Sequence, residues 1–134
     1  MTVTARLSVD TRGKGAVATL AFTNASAVPV FIEPYNAIAS PPLDADLFHI
    51  VWGRGTVVRY KGMMVKRGKP GASEYVRLEP KKPLRTAPVD LTTAYDFPSG
   101  ARTYKAQYVA LVTYPDRDGY WTLKSNVATF TYNK

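Results

Sequence analysis

The chain has no cysteine, one histidine and no apolar run approaching the roughly 20 residues that cross a bilayer. Lack of cysteine excludes disulfides, thiolate metal sites and a cysteine nucleophile, while leaving the compartment open. A single histidine excludes a metal centre built on histidines, because zinc takes several protein ligands. His49 would have to serve any Ser/His/Asp arrangement alone, with a carboxylate to orient it. HExxH, GxSxG and glycine-rich phosphate loops are all missing. So is helical periodicity. The first residues, Met1-Thr-Val-Thr-Ala-Arg-Leu7, lack a charged start followed by an apolar stretch, so no signal peptide is predicted.

What is present is a chain of 134 residues, 46% hydrophobic, with nine Tyr, five Phe and two Trp. That suits one domain over 1–134 with a packed core rather than a disordered chain. Alternation with period two recurs along it. Val3, Ala5, Leu7 and Val9 give the apolar face of a first strand; Ala16, Ala18, Leu20 and Phe22 give a second. Val28, Val30 and Ile32 follow a turn at Asn24–Ala27. The stretch from Glu33 to Asp46 holds Pro34, Pro41 and Pro42 and reads as a long connection. Phe48, Ile50 and Trp52 restart the alternation, and strands are predicted at Thr56–Lys61, Met63–Val65, Glu74–Glu79 and Ala87–Leu91. Lys66–Ser73, with Gly68, Pro70 and Gly71, is a predicted loop. Arg102–Tyr114 is the strongest strand, Tyr120–Leu123 and Val127–Tyr132 end the chain, and one helical turn fits Leu91–Phe97. The pattern predicts an all-β, immunoglobulin-like antiparallel β-sandwich of about 8–10 strands. Tyr104, four residues after Gly100, fits a tyrosine corner, and Trp52 or Trp121 supplies the large core aromatic.

Charge is the most uneven property of the sequence. The net charge is +8, and Arg54 to Arg85 alone carries ten Lys/Arg against Glu74 and Glu79. The rest of the chain is neutral overall. Strand parity turns Val58 and Tyr60 inward and Arg59 and Lys61 outward; it likewise turns Val76 and Leu78 inward, leaving Tyr75 and Arg77 outward. If these strands are neighbours, Arg54, Arg59, Lys61, Tyr75 and Arg77 form one wet face beside a loop bearing Lys66, Arg67 and Lys69. Two readings stand: a docking face for an acidic partner, or lysines and arginines that blunt sheet edges and keep the domain in solution. Nucleic acid is disfavoured, since Tyr75 is the single evident stacking platform.

Other candidates read as ordinary structure. Parity separates His49 from the face of Phe48, Ile50 and Trp52. Asp44/Asp46 and Asp116/Asp118 are too few for calcium, which takes six to eight oxygens, and suit turn capping instead. Asn24-Ala-Ser26 matches a glycosylation acceptor and lies in a predicted turn, but the pattern is common by chance and no secretory signal accompanies it. No catalytic residue, metal site or cofactor is predicted.

Several segments carry a resemblance when taken in order. They are Asn24-Ala-Ser-Ala-Val-Pro-Val30, Phe48-His-Ile-Val51, Val58-Arg-Tyr-Lys-Gly-Met-Met-Val-Lys-Arg67, Glu74-Tyr-Val-Arg-Leu-Glu-Pro80 and Val89-Asp-Leu-Thr-Thr-Ala-Tyr-Asp-Phe97, followed by Gly100 and Tyr104. Together, over residues 3–132, they resemble the immunoglobulin-like region preceding the catalytic domain of bacterial and fungal deuterolysin-type (aspzincin) metalloendopeptidases. Thr23-Asn-Ala-Ser-Ala-Val-Pro-Val30 also resembles, more weakly, immunoglobulin-like intracellular proteinase inhibitors. The family's HExxH helix and later zinc-ligand aspartate have no counterpart here. The resemblance therefore implies a non-catalytic part: a propeptide that assists folding and masks an active site, or an inhibitor or chaperone acting in trans. With the basic block it implies an acidic protein partner, a metalloprotease catalytic domain, and a secreted or periplasmic setting if the chain is processed. Otherwise a cytoplasmic setting is expected. The inserting elements would be Gly62–Ser73 and Pro34–Pro42. Against these stands a polyanion-binding or structural surface module.

Overall fold

The computed structural model describes residues 2–39 and 42–134. Met1 and the Ser40–Pro41 part of the predicted 33–46 connection and inserting loop lie outside the described residues. The chain is all-β. Among the described residues eleven strands are β1 Val3–Asp10, β2 Val17–Asn24, β3 Val30–Ile32, β4 Phe48–Trp52, β5 Thr56–Val57, β6 Val76–Leu78, β7 Leu84–Arg85, β8 Val89–Asp90, β9 Ala101–Thr113, β10 Tyr120–Lys124 and β11 Ala128–Asn133. The count exceeds the expected range because β5, β7 and β8 are two-residue pieces.

One sheet is built on the hairpin β1–β2, paired without a break from Val3↔Asn24 to Asp10↔Val17. Both β7 and β8 then pair with the far side of β2, at Phe22 and Ala18 respectively. Between them Thr86 continues the edge: its N–H donates to Leu20 O at 2.9 Å, and its Oγ1 accepts from Leu20 N–H at 3.1 Å. The predicted strand at Ala87–Leu91 is thus a shorter stretch of a broken one. Asp90 ends it by accepting from the N–H and hydroxyl of Thr92, which starts the helical turn Leu91–Thr93. A Cβ at Gly15 would stand 2.4 Å from an Asp90 carboxylate oxygen, so any larger residue there would displace that capping side chain.

The second sheet has β9 at its centre, with β4 and then β5 on one side and β10 and β11 on the other. Lys124 faces Val109 and Ala128 faces Ala106, so three residues, Ser125–Val127, oppose two and form a bulge. The bulge is put to use. Ser125 Oγ accepts from Tyr108 N–H at 2.9 Å, and the Asn126 side chain bonds both N–H and C=O of Leu7 in β1. One edge of each sheet is thereby joined to the other.

Between the sheets lies an aromatic core. Tyr108 meets Phe22 and Phe48 edge-on at 5.7 and 5.9 Å, and Phe97 meets Tyr104 at 5.0 Å. Trp121 is the indole of this core. Trp52 is half-buried, with the Arg102 guanidinium over its ring at 4.3 Å.

Three expectations are corrected. Tyr104 forms no tyrosine corner: its hydroxyl is buried without a partner among aromatic rings. The tying is done instead by Tyr95, which donates to Asp46 and accepts from Phe48 N–H, and by Tyr108, which donates to Asn36 O. Met63–Val65 is not a strand, and Thr56–Lys61 is one only over β5. Asn24 serves the fold, in line with its reading as ordinary structure. Its side chain is fully buried, donates to Val28 O and Leu78 O, and accepts from Ser26.

Candidate docking face

The basic residues divide into three groups. Arg54, in the β4–β5 turn, and Arg59 and Lys61, just past β5, lie exposed beside the second sheet. Here the chain leaves the sheet to pair with residues 94–96: Lys61 and Gly62 N–H donate to Ala94 O, and Arg59 O accepts from Asp96 N–H. Lys66, Arg67 and Lys69 follow on an exposed strap, 61–74, that has no strand of its own. Arg77 lies elsewhere, on the two-stranded ribbon of β3 and β6, opposite Phe31 and paired with Glu79.

The single wet face expected from parity is therefore divided, because β6 pairs with β3 and not with the Arg59 segment. Tyr75 is a second correction. It is 7% exposed, and its hydroxyl lies 2.7 Å from Thr113 Oγ1. Alternation does not govern it, since it sits between the turn Ala72–Glu74 and the first residue of β6.

Tyr75 belongs to a buried polar cluster. Glu33, fully buried at the end of β3, accepts from Thr113 N–H at 3.0 Å, Thr113 Oγ1 at 2.9 Å, Tyr35 at 3.3 Å and Asn36 at 3.1 Å. A buried carboxyl group demands such partners. The cluster ties the β3–β6 ribbon to the end of β9. Burial first, then the neighbouring Glu33, pushes the Tyr35 hydroxyl up to about 12.

Above this cluster the strap and the loop from Pro34 enclose a cleft of about 470 Å³. Pro34, Tyr35, Ile38 and Leu43 form one wall, and Arg67, Lys69 and Pro70 the other. Arg67 pairs with Asp44 and lies 5.8 Å from the Tyr35 ring centre. Lys69 Nζ donates to Arg117 O at 2.9 Å, reaching the β9–β10 loop. The loop wall turns tightly. Ala39 N–H donates to Pro34 O and Ile38 N–H to Tyr35 O, a paired closure that normally ends on glycine. Here Ile38 takes the left-handed conformation, φ +51°, at a cost of about 1–2 kcal/mol for a residue with a Cβ. Its side chain is nevertheless buried.

Among the described residues no group of three or more His, Cys, Asp or Glu is placed to hold a metal ion. His49 is exposed, beside a hollow it shares with Arg59 and Met64. Asp116 pairs with Arg117, whose guanidinium lies 4.0 Å from the Tyr114 ring centre. No helix among the described residues is long and apolar enough to cross a membrane.

The two loops expected to insert, Gly62–Ser73 and Pro34–Pro42, thus meet across one cleft over their described residues. Sequence reasoning missed Asp44 in its lining, the left-handed Ile38 in its loop and the buried Glu33 beneath it. Glu33, Tyr35 and Asn36 standing together after an apolar strand was the available signal; nothing marks Ile38. Compared with models of known protein families the chain matches none, and a search of curated proteins finds no match.

Proposed function

We propose that the chain is a non-catalytic protein-binding domain, of immunoglobulin-like sandwich type, that docks on an acidic protein through the strap and its cleft. The resemblance described above makes that partner a metalloprotease catalytic domain and the chain a propeptide-like or inhibitory module. The observation that carries the reading is the coincidence of charge and exposure. The strap holds Lys61, Lys66, Arg67 and Lys69 in one exposed segment beside a cleft, and Asp44 compensates only Arg67. Such a field speeds encounter with an acidic surface and fixes orientation more than it adds affinity.

The test is to mix the purified chain with an aspzincin catalytic domain, then follow peptide cleavage and elution on a sizing column. The expected result is a complex, slower cleavage, and an association rate that falls with salt and with the triple change Lys61→Glu, Lys66→Glu, Lys69→Glu. Unchanged cleavage together with no complex removes the protease reading. Tight, salt-sensitive retention on heparin with no protein complex would favour the polyanion-binding alternative.

A further inference from the structure

The strap has an unusual main chain. From Met63 to Gly71 it runs without a turn, bend or bridge. Val65 N–H donates to Asp44 O at 3.0 Å and Gly71 N–H to Glu74, while Met63 O accepts from Tyr60. The N–H groups of Met64, Lys66, Arg67, Gly68 and Lys69 find no partner among the described residues. In an extended chain alternate residues direct N–H and C=O to the same side. Since Val65 faces Asp44, the row Met64, Lys66 and Gly68 faces away from the loop. Where the strap runs extended, that row is left free to pair with an added strand.

The edge is also held in place. Lys61 and Gly62 fix its start on Ala94, Val65 and Arg67 hold its middle on Asp44, and Lys69 ties its end to Arg117. A segment fixed before binding loses less conformational entropy when a partner arrives. Its charges select that partner. Lys61 and Lys66 make no ion pair among the described residues, and Lys69 bonds a neutral carbonyl. Lysines on a bare edge repel a second copy of the same edge, and an acidic strand meets no such penalty.

We propose that the strap receives an acidic, extended peptide segment of the partner as an added β-strand. Its main chain pairs with Met64, Lys66 and Gly68; carboxylates on one face lie against Lys66, and those on the other against Lys61 and Lys69. This rests on the docking reading above and gives it a geometry.

The probe is the capped peptide acetyl-Glu-Glu-Val-Thr-Val-Glu-Glu-amide, which carries acid on both faces as a strand, added to the isotope-labelled full chain and followed by amide NMR. The expected result is slowed hydrogen exchange and shifted signals at Met64, Lys66 and Gly68. The same peptide methylated on alternate backbone nitrogens, with unchanged charge, loses the effect. Gly68→Pro removes one N–H without changing charge, at a position where an added Cβ meets nothing within 4 Å, and it weakens binding. Equal binding of the methylated peptide or of a heparin fragment, or no change at the three amides, overturns the proposal. If Gly68→Pro leaves the protease complex on the sizing column intact, strand addition fails while the docking reading survives. Loss of that complex for wild type and variant alike ends both.

Discussion

The double sheet and the strap use the same backbone in opposite ways. β9 pairs with β10 and β11 along one side and with β4 over Tyr104–Tyr108 on the other, above a layer of interlocking rings. The strap spends almost none of its backbone groups and rests on a few point contacts. Order in the first comes from cooperative ladders and burial; order in the second comes from anchors supplied by distant residues. A region ordered by anchors stays accessible, as a surface meant for a partner must.

The comparison breaks most visibly in the core. Phe22→Ala removes a fully buried ring packed on Tyr108 and is expected to lower unfolding free energy by about 3–5 kcal/mol in urea titrations. A smaller effect is expected between the two regions. Glu33→Gln turns an amide NH₂ toward the donors of Thr113, Tyr35 and Asn36, for a loss of about 1–3 kcal/mol by the same measurement. Smallest is Asp44→Ala, which removes the carboxylate under Arg67. Global stability should change by at most about 1 kcal/mol, because the exposed end of that ion pair is worth little. Trypsin cleavage after Lys66 or Arg67 should nevertheless accelerate. A large stability loss with unchanged cleavage would mean that the strap belongs to the cooperative unit.

Where burial follows period two, the sequence was enough. Val3, Ala5 and Leu7 in β1, and Tyr104, Ala106, Tyr108, Ala110 and Val112 in β9, face inward as alternation requires. What resisted reading depends on partners far away in the chain. Tyr75 goes inside because Thr113 receives its hydroxyl, and β7 exists because β2 offers a free edge at Ala21 and Phe22. Glu33 reads as a surface residue by type and becomes internal only with four donors around it. In Ile38 a backbone preference gave way to burial of the side chain. The charge block survives as a feature of the candidate face, but its strap half is the coherent part. Arg77 answers to another sheet and Tyr75 to the interior.

The bulge at Ser125–Val127 has a mechanical meaning. Ala5 and Ser125 pair in parallel, and Asn126 grips both main-chain groups of Leu7. Tension applied at the two chain ends would slide these strands past one another lengthwise. The clasp then carries the load in shear, with its bonds strained together instead of opening in turn. A pull on the two ends is thus met in shear at a place where the strand pairing is irregular.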